Sequence, residues 1–216
     1  MIKVNNIVSY NHARAIYSAR NAMNSWHLSD SNLDENIIGE KDLELAKKLV
    51  KAGSTHRKFL RQIMVSMDIT APLYWWSEFD TYKVGTTANS CSKMHKIHDK
   101  EFTIDDFSHE HLDCETFPLW VSRDNTTYFC AAYDFCNITC DVLNFYRQKF
   151  LETKDKKYWW QMIQLLPSSY NQTRTVTMSY ENVFSMINQR KGHKLDEWVS
   201  FCETLKQLPY VKEIRG

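Results

Sequence analysis

The chain has 216 residues, of which 43% are hydrophobic and 25% are charged, and its formal net charge is +1 at pH 7. A chain of this size buries roughly 70% of its unfolded surface, so neither a disulfide nor a structural metal is needed for folding. The near-zero charge and the mixed distribution of Lys, Arg, Asp and Glu give no basic stripe for nucleic acid. No apolar run approaches the roughly 18 residues of a membrane span. The six cysteines lack Cys-x-x-Cys spacing, which predicts a reducing cytoplasm.

The first predicted elements are two amphipathic helices. Apolar residues recur at helical spacing over residues 11–26 and again over 43–50. Residues 63–70 then alternate between apolar and polar side chains, as a strand does. Pro72 suits the first turn of a helix that runs to about residue 80.

The second half of the chain is predicted to be mainly helical. Periodic apolar residues predict helices over about 127–151, 157–165, 180–189 and 195–208. Residues 173–179, Thr-Arg-Thr-Val-Thr-Met-Ser, alternate like a strand. The polar stretch from 99 to 126 has no clear period and is predicted to run over the surface.

A polar segment from Asp80 to Met94 has the composition of a ligand-binding loop. Lys83 and Lys93 alternate with hydroxyls and amides, and Gly85 is the only glycine of the segment. Side chains, rather than a glycine-rich backbone loop, would therefore hold an anion here. A solvated surface loop is the alternative explanation of this composition.

The same segment resembles the signature of the flavin-dependent thymidylate synthases. That signature, Arg-His-Arg-x-x-Ser-x-Asn-Glu-x-Ser-x-Arg-Tyr, follows a strand, an Ala-Pro step and a helix, and Ala71-Pro72 fits this order. Laid without gaps, the signature falls on residues 81–94. Lys83 then stands for the third basic residue, Thr86 for the first serine and Lys93 for the last arginine.

A second block of resemblance lies in the C-terminal third. Leu166-Pro167, the predicted strand, Arg190, His193 and the helix start Asp196-Glu197-Trp198 follow the order of the family. The resemblance implies one α+β domain over residues 1–216, with a divergent insertion around 95–126. The implied fold is thymidylate synthase-complementing-protein-like, with an antiparallel or mixed sheet and flanking helices.

The resemblance also implies a reaction. The family transfers a one-carbon unit from methylenetetrahydrofolate to C5 of dUMP, with hydride from reduced FAD and NADPH as the reductant. FAD is thus the expected cofactor, a pyrimidine deoxynucleotide monophosphate the expected partner and a homotetramer the expected assembly, with no membrane or nucleic-acid partner. Two alternatives are modification of another pyrimidine nucleotide, such as hydroxymethylation, and a non-catalytic homologue that binds a nucleotide or a protein.

Site residues follow from the resemblance position by position. Arg190 is the implied catalytic residue, because a guanidinium beside the N3 and C2=O edge of a pyrimidine favours the ionised ring. A cation at a helix C-terminus is the alternative role of Arg190. The implied cofactor-binding residues are His56, Lys58, Thr81, Tyr82, Lys83, Asn89, Ser179, Glu181 and Ser185. The implied substrate-binding residues are Glu78, Asn89, Ser90, Cys91, Ser92, Lys93 and Arg190. No metal ligand is expected.

Several positions depart from the family pattern. Thr81-Tyr82 replaces Arg-His, and Asn89 replaces the shared glutamate. Glu181 stands at an arginine position, which predicts weaker binding of the flavin pyrophosphate through like charge. Tyr82 is interpreted either as stacking on the isoalloxazine ring or as a core residue, and Cys91 either as a nucleophile or as an ordinary thiol.

Overall fold

A computed structural model describes residues 2–215, with the backbone alone at Val121. The elements of this part of the chain are β1 (Lys3–Tyr10), α1 (His12–Ala19), α2 (Glu40–Lys51), β2 (Met64–Pro72), α3 (Leu73–Phe79), β3 (Thr86–Ser90), α4 (Lys93–Lys96), β4 (Thr116–Val121), β5 (Thr127–Ala131), α5 (Ala132–Thr153), α6 (Lys156–Leu165), β6 (Asn171–Ser179), α7 (Tyr180–Gln189), α8 (Asp196–Lys206) and α9 (Val211–Arg215). Short 3-10 turns lie at 20–23, 26–28, 58–61 and 104–106. None of the described helices is long and apolar enough to cross a bilayer.

The chain divides into two compact units. The sheet unit contains residues 2–70, 77–89 and 173–215, and the helical unit contains residues 71–76 and 90–172. Strands of the main sheet are ordered β1-β2-β6-β3, with β1 antiparallel to β2. Side-chain hydrogen bonds join Thr175 to Asp68 at 2.6 Å and Thr177 to Ser66 at 3.1 Å, a register that makes β2 and β6 antiparallel as well.

Strand β2 buries one face, as its alternating sequence predicts. Val65, Met67 and Ile69 are buried, while the residues between them are partly exposed, because successive side chains of a strand point to opposite faces. Other buried apolar residues of the sheet unit lie on α1, α7 and α8, and include Ile16, Val183, Phe184, Trp198 and Phe201. Mixed helices and antiparallel strands confirm the predicted α+β class.

The helical unit has a core of its own. Helices α5 and α6 pack against each other. The buried core cluster comprises Ile97, Phe102, Phe107, Cys136, Cys140, Leu143 and Met162. Strands β4 and β5 form an antiparallel hairpin that leads directly into α5.

Several predicted boundaries differ from the observed ones, and the helix predicted over residues 11–26 already ends at Ala19. The helix expected from residue 127 starts at Ala132, because Asn125 adopts a left-handed φ of 65° in a turn and the Thr-Tyr-Phe run after it pairs with β4. The stretch from 99 to 126, which was predicted to run over the surface, contains β4, and its residues Phe102 and Phe107 are buried in the core of the helical unit. Pro72 is the last residue of β2, so α3 begins one residue after the position predicted for it.

Candidate active site

Arg190 lies at the centre of a group of polar and aromatic side chains in the sheet unit. Its backbone caps the C-terminal end of α7, and its side chain is only 17% exposed. Nε donates to the hydroxyl of Tyr82 at 3.0 Å, and Nη1 donates to Oε2 of Glu78 at 2.7 Å. Within the described residues Nη2 makes no hydrogen bond. Two of the three guanidinium nitrogens are thus fixed, and the third remains able to donate to a ligand.

One carboxylate oxygen of Glu78 accepts two hydrogen bonds. Its Oε2 accepts from Nη1 of Arg190 and, at 3.0 Å, from the indole Nε1 of Trp198. Nε2 of His193 lies 3.3 Å from the same oxygen. Glu78 is near the end of α3, whereas Arg190, His193 and Trp198 follow α7. These contacts therefore join the end of α3 to the C-terminal part of the chain.

Hydrogen bonding fixes the tautomer of His193. Its Nδ1 accepts the backbone N–H of Leu195 at 3.2 Å, so the proton of a neutral imidazole sits on Nε2. Nε2 lies 3.1 Å from Nη1 of Arg190 and 3.3 Å from Oε2 of Glu78. His193 therefore lies beside both members of the Arg190–Glu78 pair, and its ring is held by the hydrogen bond with Leu195.

Aromatic rings line the guanidinium of Arg190. Its Cζ lies 4.4 Å from the ring centroid of Trp198 and 5.5 Å from that of Tyr82. Trp198 is fully buried and stacks against Phe79 with centroids 6.4 Å apart. Contacts of a cation with aromatic faces stabilise it by about 0.5–2 kcal/mol, and the buried indole gives the contact a rigid base.

The N-terminal end of α7 holds the loop that precedes β3. Ser179 caps the helix and donates its backbone N–H to the carbonyl of Gly85 at 3.1 Å. Nδ2 of Asn182 donates to the carbonyl of Val84 at 2.6 Å and to the hydroxyl of Thr86 at 2.7 Å. Gly85 has a φ of 70°, and a Cβ there would lie 3.4 Å from the Ser179 hydroxyl, so glycine suits this approach.

Arg57 and Glu181 form a two-pronged ion pair at the first turn of α7. Nη2 of Arg57 donates to Oε1 at 2.7 Å and Nε donates to Oε2 at 3.1 Å, with both side chains 19% exposed. The pair brings residues 56–58 to the N-terminal end of the helix. It also offsets the negative charge of Glu181, which the sequence indicated as a source of weaker pyrophosphate binding.

Tyr82 joins the two ends of this region through Gln189. The Tyr82 hydroxyl donates to Oε1 of Gln189 at 3.0 Å, and Nε2 of Gln189 donates to the hydroxyl of Ser185 at 3.0 Å. Ser185, Tyr82 and Arg190 thus belong to one hydrogen-bonded chain along α7. Tyr82 is half-buried and polar in its contacts rather than a residue of the apolar core.

The overall fold matches solved structures over nearly the whole chain. A flavin-dependent thymidylate synthase ThyX from Helicobacter pylori, complexed with FAD and dUMP, matches with a TM-score of 0.66 and 13% identity over 99% of this chain and 96% of that chain. A second structure, of Thymidylate Synthase X from Helicobacter pylori with FAD and dUMP, gives 0.66 and 12% over all of both chains. A UMP/dUMP methylase, PolB from Streptomyces cacaoi, bound with 5-Br dUMP, gives 0.54 and 14% over 85% of this chain and 75% of that chain.

This chain has the fold of the flavin-dependent thymidylate synthases. No protein-family model and no curated protein matches the sequence. The structural similarity confirms the fold that the two short sequence blocks predicted.

The structure brings some predicted site residues together. Glu78, Tyr82 and Arg190 are in direct hydrogen-bond contact, and Ser179 and Glu181 lie together at the start of α7. Five other predicted residues of the sheet unit have exposed side chains outside these contacts: His56, Lys58, Thr81, Lys83 and Asn89. Thr81 donates its hydroxyl to the carbonyl of Glu78 at 2.7 Å, a local turn contact.

Predicted substrate residues 90–93 belong to the helical unit. Ser90 ends β3, and Cys91 is an exposed free thiol whose carbonyl accepts from Nε2 of Gln172 at 2.8 Å. Ser92 caps α4 by accepting the backbone N–H of His95 at 3.3 Å. Lys93 is the first residue of that helix. Ser92 therefore has a structural contact of its own.

Several residues of the observed contacts were not predicted as site residues. They include Arg57, Asn182, Gln189, His193 and Trp198. Arg57 lies between His56 and Lys58, which were both predicted as cofactor-binding residues, and Trp198 lies within the second block of resemblance. Their positions in the sequence could therefore have indicated both as site residues. Within the described residues no three His, Cys, Asp or Glu side chains form a group that could hold a metal ion.

Proposed function

We propose that this protein is a flavin-dependent pyrimidine-nucleotide methyltransferase, which transfers a one-carbon unit from methylenetetrahydrofolate to C5 of dUMP. NADPH is the proposed reductant. The proposal depends on the geometry of Arg190. Its side chain is largely buried, and one of its three guanidinium nitrogens is able to donate to a ligand. Support comes from the fold, because two matching structures contain FAD with dUMP and a third contains 5-Br dUMP.

Arg190 is the proposed catalytic residue of this site. A donor beside the C2=O and N3 edge of the pyrimidine stabilises negative charge on the ring, and this charge makes C5 more nucleophilic. The contacts with Glu78, Tyr82 and Trp198 fix the guanidinium before any ligand binds. Such preorganisation lets the charge act without reorganising during the reaction.

The residues near the start of α7 fit a flavin pyrophosphate. His56, Arg57 and Lys58 place positive or ionisable groups there, with Arg57 held by Glu181. The N-terminal end of a helix also favours anions. FAD, when bound, supplies the hydride of the reaction. Arg57 and Lys58 are proposed to hold the pyrophosphate, and Tyr82 is proposed to lie against the flavin ring system. The further proposed cofactor-binding residues are Thr81, Lys83, Asn89, Ser179 and Ser185.

Substrate phosphate is proposed to bind to residues of the signature region. Lys93 offers a cation, and Ser90, Cys91 and Ser92 offer donors, while Asn89 and Glu78 are proposed to contact the nucleotide. Lysine offers a point charge where the family pattern has the planar fork of arginine. We therefore expect weaker orientation of the phosphate than a bidentate contact gives.

Flavin and product analysis test the proposed function together. We expect the purified protein to be yellow or to take up FAD with absorbance near about 450 nm. With methylenetetrahydrofolate, NADPH and dUMP it should then form dTMP, detected by mass spectrometry. A hydroxymethylated product would indicate the alternative reaction. A protein that takes up no FAD but is stabilised by dUMP would be a nucleotide-binding homologue, and the enzyme proposal would be rejected.

We also propose that copies of this chain assemble as a homotetramer. Helix α5 exposes an apolar stripe at helical spacing, with Phe135 50%, Ile138 45%, Val142 38% and Phe145 57% exposed. A stripe of this kind is a contact surface for another helix. Covering it by a second copy is the proposed assembly contact.

Charge placement along α5 favours an antiparallel pair of such helices. Asp134 lies near the N-terminal end of α5, and Lys149, which also pairs with Glu152 at 3.5 Å, lies near its C-terminal end. Antiparallel pairing places opposite charges beside the apolar stripe at both ends. Phe145→Asp should reduce the molar mass measured by light scattering from four times 25.6 kDa, whereas Met23→Asp, at a residue 82% exposed elsewhere, should not. A monomeric or dimeric wild type would reject the tetramer.

The proposed location is the cytoplasm. All six cysteines are free thiols. Free thiols suit a reducing compartment. Cell fractionation with an antibody to the native protein tests this assignment.

A further inference from the structure

A recess in the sheet unit has four cations among the nine residues that line it. It has a volume of about 280 Å³ and lies where the C-terminal parts of α7, α8 and α9 meet. The charged residues of its wall are Arg190, Lys191, Lys206, Arg215 and Glu203. Four cations and one carboxylate give this wall a formal charge of +3, whereas the whole chain has +1.

Helix α8 supplies one side of this cavity. Val199, Cys202, Glu203 and Lys206 are spaced i, i+3, i+4 and i+7, so they share one face of the helix. Cys202 is buried, and Val199 is 40% exposed. Ile187 of α7 adds a further buried apolar contact. The cavity therefore has an apolar floor below a cationic rim.

The cations of the rim are only partly neutralised. Lys206 pairs with Glu203 at 2.5 Å, with side chains 37% and 60% exposed, and such an exposed pair is weak. Arg215 donates to the neutral amide oxygen of Asn188 at 2.7 Å. The side chain of Lys191 makes no hydrogen bond or ion pair with the residues that the structure describes. Positive charge is thus available to a ligand.

Helix dipoles explain part of this arrangement. Lys191, Lys206 and Arg215 lie at or just beyond the C-terminal ends of their helices, where a cation offsets the partial negative charge. This interaction with the helix dipole acts on each helix separately, so it does not explain why the three cations line one cavity. Burial raises the pKa of the Cys202 thiol, and Glu203 raises it further, whereas Lys206, Arg190 and Arg215 each lower it. These three cations also line the same cavity, so they lie together at one place rather than each serving only its own helix.

We propose that this cavity binds a small polyanion, a molecule with two or more carboxylate or phosphate groups on a short carbon or phosphoanhydride skeleton. The rim would hold the acid groups through Lys191, Lys206 and Arg215. The floor formed by Ile187 and Cys202 would lie under the skeleton. A singly charged acid engages fewer of these cations, so it should bind much more weakly.

Calorimetric titration of the full chain at low ionic strength tests this site. The probes are citrate for carboxylates and pyrophosphate for phosphates, with acetate as the singly charged comparison. We expect saturable binding of one citrate or one pyrophosphate per protomer, and the tighter of the two identifies the acid group. The triple variant Lys191→Gln, Lys206→Gln, Arg215→Gln should weaken that binding at least about tenfold.

Lys47 and Lys51 provide a matched control. Lys47 forms the same kind of pair with Glu44 as Lys206 does with Glu203, at 2.7 Å with 39% and 60% exposure, and Lys51 ends α2. Lys47→Gln with Lys51→Gln should leave binding unchanged. Arg190 is kept in all variants because it also belongs to the proposed active site, so FAD and dUMP binding should stay the same.

Three results would overturn the proposal: no saturable binding of either probe, equal binding of acetate, or equal loss in the control variant. If the triple variant does not fold, as judged by circular dichroism, the single variant Lys191→Glu decides. This exposed residue can reverse its charge with little effect on packing. Unchanged affinity for both probes in that variant would also reject the site.

Discussion

The guanidinium carbon of Arg190 lies 4.4 Å from the ring centroid of Trp198, a side chain that is fully buried. Trp198 also donates its indole N–H to the Glu78 oxygen that Arg190 contacts. One aromatic residue therefore supports the cation and orients its carboxylate partner. The geometry depends on the planar fork of arginine, which lysine lacks.

Arg190→Lys should retain the fold and lose turnover. Lysine keeps the charge but cannot donate to Tyr82, Glu78 and a ligand at once. We expect kcat for dTMP formation to fall by about 10²–10³, the range for loss of one preorganised donor. Arg174→Lys is the control, because Arg174 is similarly buried at 16% exposure and pairs with Asp80 at 2.8 Å. Equal activity of Arg190→Lys and wild type would refute the role assigned to Arg190.

Glu78 and Arg190 should show energetic coupling. Their side chains are 35% and 17% exposed, so solvent screens the pair and the coupling should be about 1 kcal/mol. Urea unfolding of Glu78→Gln, Arg190→Gln and the double variant measures it. Asp80→Asn with Arg174→Gln gives a comparison cycle at a more exposed carboxylate, where the coupling should be smaller. Additive effects in the first cycle would show that the contact does not stabilise the fold.

Strong periodicity allowed several elements to be predicted from the sequence. Helix α7 was predicted at its observed bounds, because buried Val183, Phe184 and Ile187 repeat at helical spacing. Strand β3 was not predicted. Its residues are mostly exposed and polar, so no hydrophobic alternation marks it and its pairing in the sheet decides its structure.

Prediction of the site depended on long-range contacts. Glu78, Tyr82 and Arg190 were each named from the resemblance, yet their direct contact needs residues more than 100 positions apart to meet. The pairing of Glu181 with Arg57 could not be read from the sequence, since the partners are 124 residues apart. A local sequence pattern says nothing about contacts between residues so far apart in the chain, so only the folded structure shows this ion pair.

Removing the Arg57 cation should weaken FAD binding. In Arg57→Gln, the carboxylate of Glu181 loses its partner and repels the flavin pyrophosphate. We expect the Kd for FAD, measured by fluorescence titration, to rise at least about tenfold, as a lost charged hydrogen bond of 1.5–3 kcal/mol implies. Glu181→Gln should instead leave FAD binding equal or tighter. Weaker binding in both variants would indicate that the ion pair acts through structure and not through charge.

His12 is buried in a fully determined hydrogen-bond chain. Asn36 accepts the backbone N–H of Ala13 at 3.1 Å through Oδ1, so its Nδ2 must donate to Nδ1 of His12, 2.9 Å away. The neutral ring then carries its proton on Nε2, 3.2 Å from the hydroxyl of Tyr180. That hydroxyl donates to the carbonyl of Pro209 at 3.1 Å. A second proton on His12 would face the Asn36 donor.

Stability should therefore fall when His12 becomes protonated. Burial lowers the pKa of His12 from the usual 6.5. Burial raises the pKa of the neighbouring Tyr180 to about 12, so its hydroxyl stays neutral. The unfolded chain then binds more protons below about pH 6.5, so the free energy of unfolding decreases as pH falls through that value, by at most about 1.4 kcal/mol per pH unit. Urea unfolding between pH 7.5 and 5 measures this slope. His12→Gln should flatten it, whereas His56→Gln at an exposed position should not, and an unchanged slope in His12→Gln would assign the pH dependence to other groups.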